Sequence, residues 1–374
     1  MTLSKSSLPL KRSTGDIPLL IAVVLLSLTG LVFIYSASSY SAQSTYNDAF
    51  YFVKKQAIGI VLGIISMAVL SKVDYHLIKK ANIPIAIITL ITLSLVFVPG
   101  IGVENYGAKR WINLGFFTVQ PSELAKFSLI LFAASYFSKN PERAYTFLGF
   151  LPVLIYGLLL CAFIILEPNM SITVCVGTLL LSLLFSAGVR LKHFLFLLIP
   201  ALIGGVFLII AEPYRLARLS AFLNPWSDPK GEGYQLLQSL YALGSGGFFG
   251  VGLFSSRQKF AFLPFSESDF ILSIIGEEIG FIGLLLVFAL IFFIVMRGLK
   301  IARKSKDFFG FLIAVGITMI FGIQAIVNAL VVSGSIPPTG LPLPLVSSGN
   351  TAIVIFMSEF GILYNVSKKE SLTF

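Results

Sequence analysis

The 374-residue chain carries 27 Lys and Arg against 17 Asp and Glu, a net charge of +10, yet only 12% of its residues are charged and 56% are apolar. A mean hydropathy of +0.93 excludes an ordinary soluble domain, and long Leu/Ile/Val/Phe runs without period-two alternation exclude a membrane barrel. The basic residues sit in short clusters beside apolar runs, as topology signals do, so the excess positive charge is no nucleic-acid footprint.

Lys5, Lys11 and Arg12 precede the first apolar run, which begins at Ile17. That run is too long for a signal peptide and lacks a small-residue cleavage site, so it reads as a first spanning helix. Apolar windows near 17–37, 54–71, 82–98, 121–137, 147–166, 169–188, 194–211, 269–296, 308–333 and 345–366 are each long enough to cross about 30 Å of hydrocarbon. The expected fold is therefore an all-α polytopic membrane protein of about ten transmembrane helices. It forms a single domain over 1–374, with a large extracytoplasmic loop, 212–268, between the seventh and eighth helices. Cys161 and Cys175 both fall inside apolar runs, as small packing residues do.

An even number of crossings puts both termini on one side. Lys72, Lys79, Lys80, Lys139, Arg143, Arg190, Lys192, Arg297, Lys300, Arg303, Lys304 and Lys306 would share that side with Lys368 and Lys369. The opposite segments hold chiefly Lys54, Lys55, Lys109 and Arg110, so the termini are expected in the cytoplasm and the large loop outside.

The first outer motif runs from Asn105 to Gly115 and continues as Val119-Gln-Pro-Ser-Glu-Leu-Ala-Lys126. Arg110, beside Lys109 and Trp111, reads equally as an interfacial anchor or as a planar fork for phosphate. Pro121 suits the first position of a helix. Glu123 and Lys126, three residues apart, share a face and form either a neutralising pair or part of a cavity lining. A short turn, Glu167-Pro-Asn169, separates the fifth and sixth windows.

Inside the large loop, Gln235 and Gln238 belong to a short amphipathic helix whose Leu236, Leu237 and Leu240 would face the membrane surface. Gly244, Gly246, Gly247, Gly250 and Gly252 then lead to Arg257 and Lys259, a combination suited to seating an anion such as pyrophosphate. It is no nucleotide P-loop, since no Gly-Lys-Ser/Thr follows. Asp269 stands where the loop enters the membrane, as a helix cap or as a working acid. Glu277, nearer its helical face than Glu278, would lie about 12 Å deeper, in an apolar run where a charge needs a use.

Gly107-Ala-Lys-Arg-Trp-Ile, Gln120-Pro-Ser-Glu-Leu-Ala-Lys126, Asn224-Pro-Trp-Ser-Asp-Pro-Lys-Gly-Glu-Gly-Tyr and Ile336-Pro-Pro-Thr-Gly-Leu-Pro-Leu-Pro together resemble the SEDS family (shape, elongation, division and sporulation) over nearly the whole chain. Gly276-Glu-Glu-Ile-Gly and Pro337-Pro-Thr-Gly are more similar to its division members than to its elongation members. Three places depart from the family pattern. Asn169 replaces an acid, Phe265 and Glu267 replace an acid and a His, and Ser348-Gly-Asn350 replaces Tyr-Gly-Gly.

The resemblance implies a peptidoglycan glycosyltransferase of the bacterial cytoplasmic membrane, using lipid II at the outer face. Asp269 would be its general base, and Arg110, Lys126, Glu123, Arg257, Lys259 and Glu277 its substrate-binding residues. A divalent cation, Mg or Mn, would assist departure of the pyrophosphate, with no organic cofactor. A class B penicillin-binding protein and other division proteins are the implied partners. An elongation polymerase, a lipid II flippase and a non-catalytic division scaffold are the rival readings; a flippase would use Glu123, Lys126, Glu277 and Glu278 as a polar path.

Overall fold

The computed structural model describes residues 14–105, 108–113, 115, 118–210 and 213–368. Lys5, Lys11, Arg12 and Lys369 of the charge pattern, and Tyr106, Gly107 and Leu114 of the first outer motif, lie outside the described residues.

A helix occupies each of the ten apolar windows. With three further helices between them, α3, α9 and α10, the described helices in chain order are α1 (Ile17–Tyr46), α2 (Tyr51–Leu70), the short α3 (Tyr75–Lys80), α4 (Asn82–Leu95), α5 (Pro121–Lys139), α6 (Phe147–Leu166), α7 (Met170–Ser186), α8 (Leu191–Ile210), α9 (Pro213–Leu223), α10 (Tyr234–Gly246), α11 (Ile271–Arg303), α12 (Phe308–Val332) and α13 (Asn350–Lys368). Of these, α1, α2, α6, α11 and α12 are by length and composition able to cross a membrane individually. The chain is a multi-pass membrane protein.

The first and last described helices meet at one end of the bundle. The amide of Asp16 donates to the hydroxyl of Ser367 (2.8 Å), while its carboxylate caps α1 at Leu19 and pairs with Arg297 of α11 (2.7 Å). Alongside, Lys368 donates to the carbonyl of Ser71 (2.9 Å). Ser36 and Asn328 each lie twenty residues along α1 and α12 from this end, about 30 Å by helical rise, and so mark the opposite border.

The core is a continuous apolar cluster that includes Leu19, Leu129, Phe270, Phe321 and Phe360. Helices α2 and α13 pack closely. A β-carbon on Gly59 would stand 2.9 Å from Ile353, and one on Gly361 would stand 2.6 Å from the Met67 carbonyl; small residues permit this approach where lipid gives no hydrophobic drive.

Two elements depart from the sequence expectation. The first outer motif forms a three-stranded antiparallel sheet, β1 (Gly102–Asn105), β2 (Ala108–Asn113) and β3 (Thr118–Val119), with Val103 opposite Trp111 and Ile112 opposite Val119. The large loop is partly helical, and α10 does not turn its leucines to the membrane surface. Leu236 and Leu237 are each 2% exposed, because α10 runs alongside the start of α11. Ser239 bridges the Ser273 hydroxyl (2.8 Å) and the Val332 carbonyl (2.7 Å), so the apolar face that a membrane would have covered is covered by protein.

Candidate active site

Asp269 lies just before α11, whose cap position belongs to Phe270 and has no side-chain cap bond. Its backbone is fixed from three sides. Asn328 of α12 donates to the carbonyls of both Asp269 and Leu341 at 2.7 Å, Ser347 donates to the Ser268 carbonyl (2.5 Å), and the Ser348 amide donates to the Glu267 carbonyl (2.9 Å). The 336–350 segment, rich in proline and unable to form a ladder of its own, is thereby tied to the loop that presents Asp269.

Three consecutive residues of this segment face three different elements. Arg218 of α9 donates to the Pro338 carbonyl (3.4 Å), Ser171 of α7 donates to the Thr339 carbonyl, and Gly340 faces Asp269. Gly340 has φ +67, a left-handed conformation that glycine adopts without strain, and a β-carbon there would stand 3.6 Å from Asp269 Oδ2. The Asp269 side chain is half-buried. Burial pushes its carboxyl up to about 6; the Arg218 guanidinium pulls it down and Glu267 pushes it up to lesser degrees. Such an acid is largely ionised at neutral pH and basic enough to accept a proton.

Glu123 and Lys126 pair inside the bundle. Lys126 Nζ reaches both Glu123 oxygens (2.8 and 2.7 Å) and Gln324 Oε1 (2.9 Å), and both side chains are no more than 3% exposed. Gln324 also lines a cavity of about 10 Å³ with Pro342, Leu345, Ser347 and Gly349, room for roughly one water. The pair therefore borders the segment that faces Asp269.

Glu277 and Glu278 belong to a different cluster and share no partner with Glu123 or Lys126. Glu277 accepts from the Ser256 hydroxyl and from the amides of Arg257 (3.0 Å) and Gln258 (3.4 Å). Glu278 accepts from Ser36, from the Ser256 amide (3.2 Å) and from Lys259 Nζ (3.5 Å). Lys259 is buried and also donates to the Phe254 carbonyl (2.6 Å). Its ammonium faces Glu278, and Arg257 is exposed at the loop surface.

The glycines of this loop serve backbone packing. Within α11, Gly280 leaves the helical region (φ 67, ψ −168). The carbonyls of Glu277 and Glu278 accept from Val251 (2.9 Å) and Gly252 (3.0 Å), and the amides of Phe281 and Ile282 donate to Gly247 (2.9 Å) and Phe248 (3.2 Å). A β-carbon on Gly246 or Gly250 would collide with the carbonyl of Gly276 or Glu278. The glycine loop expected to seat pyrophosphate lies over the break in α11.

Arg110 is also engaged. From β2 its guanidinium donates to the carbonyls of Glu167 (3.3 Å) and Pro168. Glu167 is fully buried and neither carboxyl oxygen has a hydrogen-bond partner; burial pushes it up to about 8 against the pull of Arg110. Asn169, in the place of the family acid, caps α7 by accepting from the Ile172 amide (3.4 Å), a role an amide fills as well as an acid.

Sequence reasoning missed Arg218, Gln324 and Asn328. The last two carried a signal: polar residues four apart in the apolar run of α12 share one face, which must turn inward. Among the described residues, no three His, Cys, Asp or Glu side chains gather as a metal-holding group.

The sequence profile of the family described as "Cell cycle protein" (FtsW/RodA/SpoVE) matches residues 17–372. The chain is 40% identical over 360 residues to the probable peptidoglycan glycosyltransferase FtsW of Trichlorobacter lovleyi, covering 96% of this chain and 94% of that protein. It is likewise 40% identical over 362 residues to stage V sporulation protein E of Bacillus subtilis, covering 96% and 98%. Among solved structures, a chain from a study of polymerization and crosslinking by a peptidoglycan synthase complex superposes with a TM-score of 0.80 at 24% identity, covering 96% of this chain and 99% of that one. The rod shape determining protein RodA of Thermus thermophilus superposes with a TM-score of 0.70 at 22% identity, covering 96% and 98%. The two solved chains share this fold, and the family match runs almost end to end: the protein belongs to the FtsW/RodA/SpoVE family.

Proposed function

We propose that the protein is a peptidoglycan glycosyltransferase that polymerises lipid II during cell division. The observation that carries this reading is the placement of Asp269: a half-buried carboxylate, raised toward neutrality, beside Arg218 and the 338–340 backbone, about one hydrocarbon thickness from the end where Asp16 meets Ser367. Relatives named as FtsW glycosyltransferases, 40% and 39% identical along nearly the whole chain, favour the division role over elongation.

In this mechanism Asp269 takes the proton of the acceptor sugar's C4 hydroxyl as that oxygen attacks C1 of the lipid-linked donor. The C1–oxygen bond to pyrophosphate breaks, undecaprenyl pyrophosphate departs with the electron pair, and a β-1,4 link forms with inversion. Arg218 is the cation placed to steady negative charge near Asp269. Asp269 and Glu267 supply two carboxylates, a donor set that suits a magnesium or manganese ion held mainly by substrate phosphates; such an ion would neutralise the leaving group.

Basic residues Arg297, Lys300, Arg303 and Lys368 crowd the end where α1 and α13 meet, which supports a cytoplasmic placement there and a periplasmic one for Asp269. Relatedness to a chain from a peptidoglycan synthase complex supports a class B penicillin-binding protein as partner. The test is polymerisation of labelled lipid II by purified protein with that partner, comparing wild type with Asp269→Asn. Glycan from wild type alone is expected; equal product from both rejects the reading.

A further inference from the structure

From Gly247 to Phe254 the loop after α10 reads Gly-Phe-Phe-Gly-Val-Gly-Leu-Phe, with no charged or hydroxyl side chain. Phe248 and Phe249 are 71% and 83% exposed, and Val251, Leu253 and Phe254 are exposed as well. Five large apolar side chains turned outward together form a patch that a water-facing loop avoids.

The backbone beneath them is paired with protein. Gly247 and Phe248 give their carbonyls to Phe281 and Ile282, while Val251 and Gly252 give their amides to Glu277 and Glu278, and the Gly250 amide reaches the Gly246 carbonyl (2.8 Å). Water would satisfy such groups at no cost. In hydrocarbon each unpaired one costs several kcal/mol, so irregular backbone survives there only when protein satisfies it.

Depth and continuity agree with this. Ile282 precedes Arg297 by fifteen residues, about 22 Å of helix, less than the roughly 30 Å thickness of the hydrocarbon core. Phe248 packs edge-on against Phe281 (centroids 6.1 Å apart), and the exposed apolar face continues down α11 through Ile282, Leu285 and Leu286. The patch is thus the upper end of a lipid-facing surface.

We propose that residues 247–254 form a membrane wedge whose exposed side chains lie among the acyl chains of the leaflet nearest Asp269. The occupant is lipid, and the wedge stands or falls independently of the chemistry at Asp269.

The test places a tryptophan at the tip. Phe249→Trp in the full chain, reconstituted in phosphatidylcholine nanodiscs, is compared with wild type, whose Trp111 and Trp226 supply the baseline. Lipids brominated on the upper acyl chain are expected to remove about half of the added emission, and aqueous iodide almost none, as for an indole inserted in the interface. Quenching by iodide and not by bromolipid overturns the wedge. So does an iodide-accessible tryptophan that becomes protected only when a partner membrane protein is added. Leu253→Trp supplies a second position should the first variant fold poorly.

Discussion

The carboxylate of Asp269 lies against Gly340, with Oδ2 3.6 Å from where a β-carbon on that glycine would stand. The acid thus faces bare backbone, held in a left-handed turn between Arg218 at Pro338 and Ser171 at Thr339. Gly340→Ala would force an L-residue into φ +67, at a cost of about 1–2 kcal/mol, and put a methyl group beside the acid. We expect reduced glycan synthesis with expression retained; unchanged turnover by the alanine variant would show that the turn does not position Asp269.

Acidification should switch the reaction off through Asp269. Because its carboxyl is pushed up to about 6, the ionised base is lost as pH falls through that value. Asp269→Asn should lower the rate by about 10²–10⁴-fold, the usual worth of a positioned base. Burial that raises an acid favours its protonated form in the fold, so the stability it contributes is present below the unfolded value near 4 and lost as pH rises through about 6. The asparagine variant should therefore melt higher than wild type at pH 7, as measured by thermal unfolding in detergent.

Arg218 lowers the Asp269 carboxyl toward its ordinary range. Arg218→Ala should move the acid limb of the pH–rate profile to higher pH and reduce turnover, with Arg218→Lys intermediate because the charge survives but the planar fork is lost. A profile whose midpoint does not move would separate Arg218 from the base.

Lys126→Met would strand Glu123 in the bundle without its cation, costing about 3–5 kcal/mol. Adding Glu123→Gln should restore much of the thermal stability. If the stable double variant regains turnover, the pair is structural; if it stays inactive, the pair also serves the cavity beside Gln324.

The loop glycines divide into two groups. A β-carbon on Gly250 meets the Glu278 carbonyl, whereas one on Gly244 meets nothing within 4 Å. Gly250→Ala should disrupt the loop and lose activity. Gly244→Ala, in the last turns of α10, should be neutral or slightly stabilising. Equal sensitivity of both would instead favour a ligand seat.

What could be read in advance follows from which forces act locally. The apolar windows were legible because hydrocarbon demands a run of a fixed length, whereas Asp269 was singled out mainly by the resemblance of the motifs around it. The break at Gly280 was not legible: Gly276, Gly280 and Gly283 look alike in sequence, and only the arrival of Val251 and Gly252 determines which one opens. Likewise Lys259 looked available because its partner, Glu278, comes from a different element and is joined by Ser36 of α1. The leucines of α10 showed a correct amphipathic pattern, but pattern alone does not say whether lipid or protein covers a face.

The hydrogen bond from Asp16 to Ser367 bears on how the gene can be rearranged. With the first and last described helices stapled together at one end, a linker could join α13 to α1 there, and the chain could be reopened at the exposed Lys139–Pro141 connection. A circularly permuted gene of that design should still yield a membrane-inserted, active protein. It would let reporters be placed between α5 and α6 without disturbing either the acid or the loop that presents it.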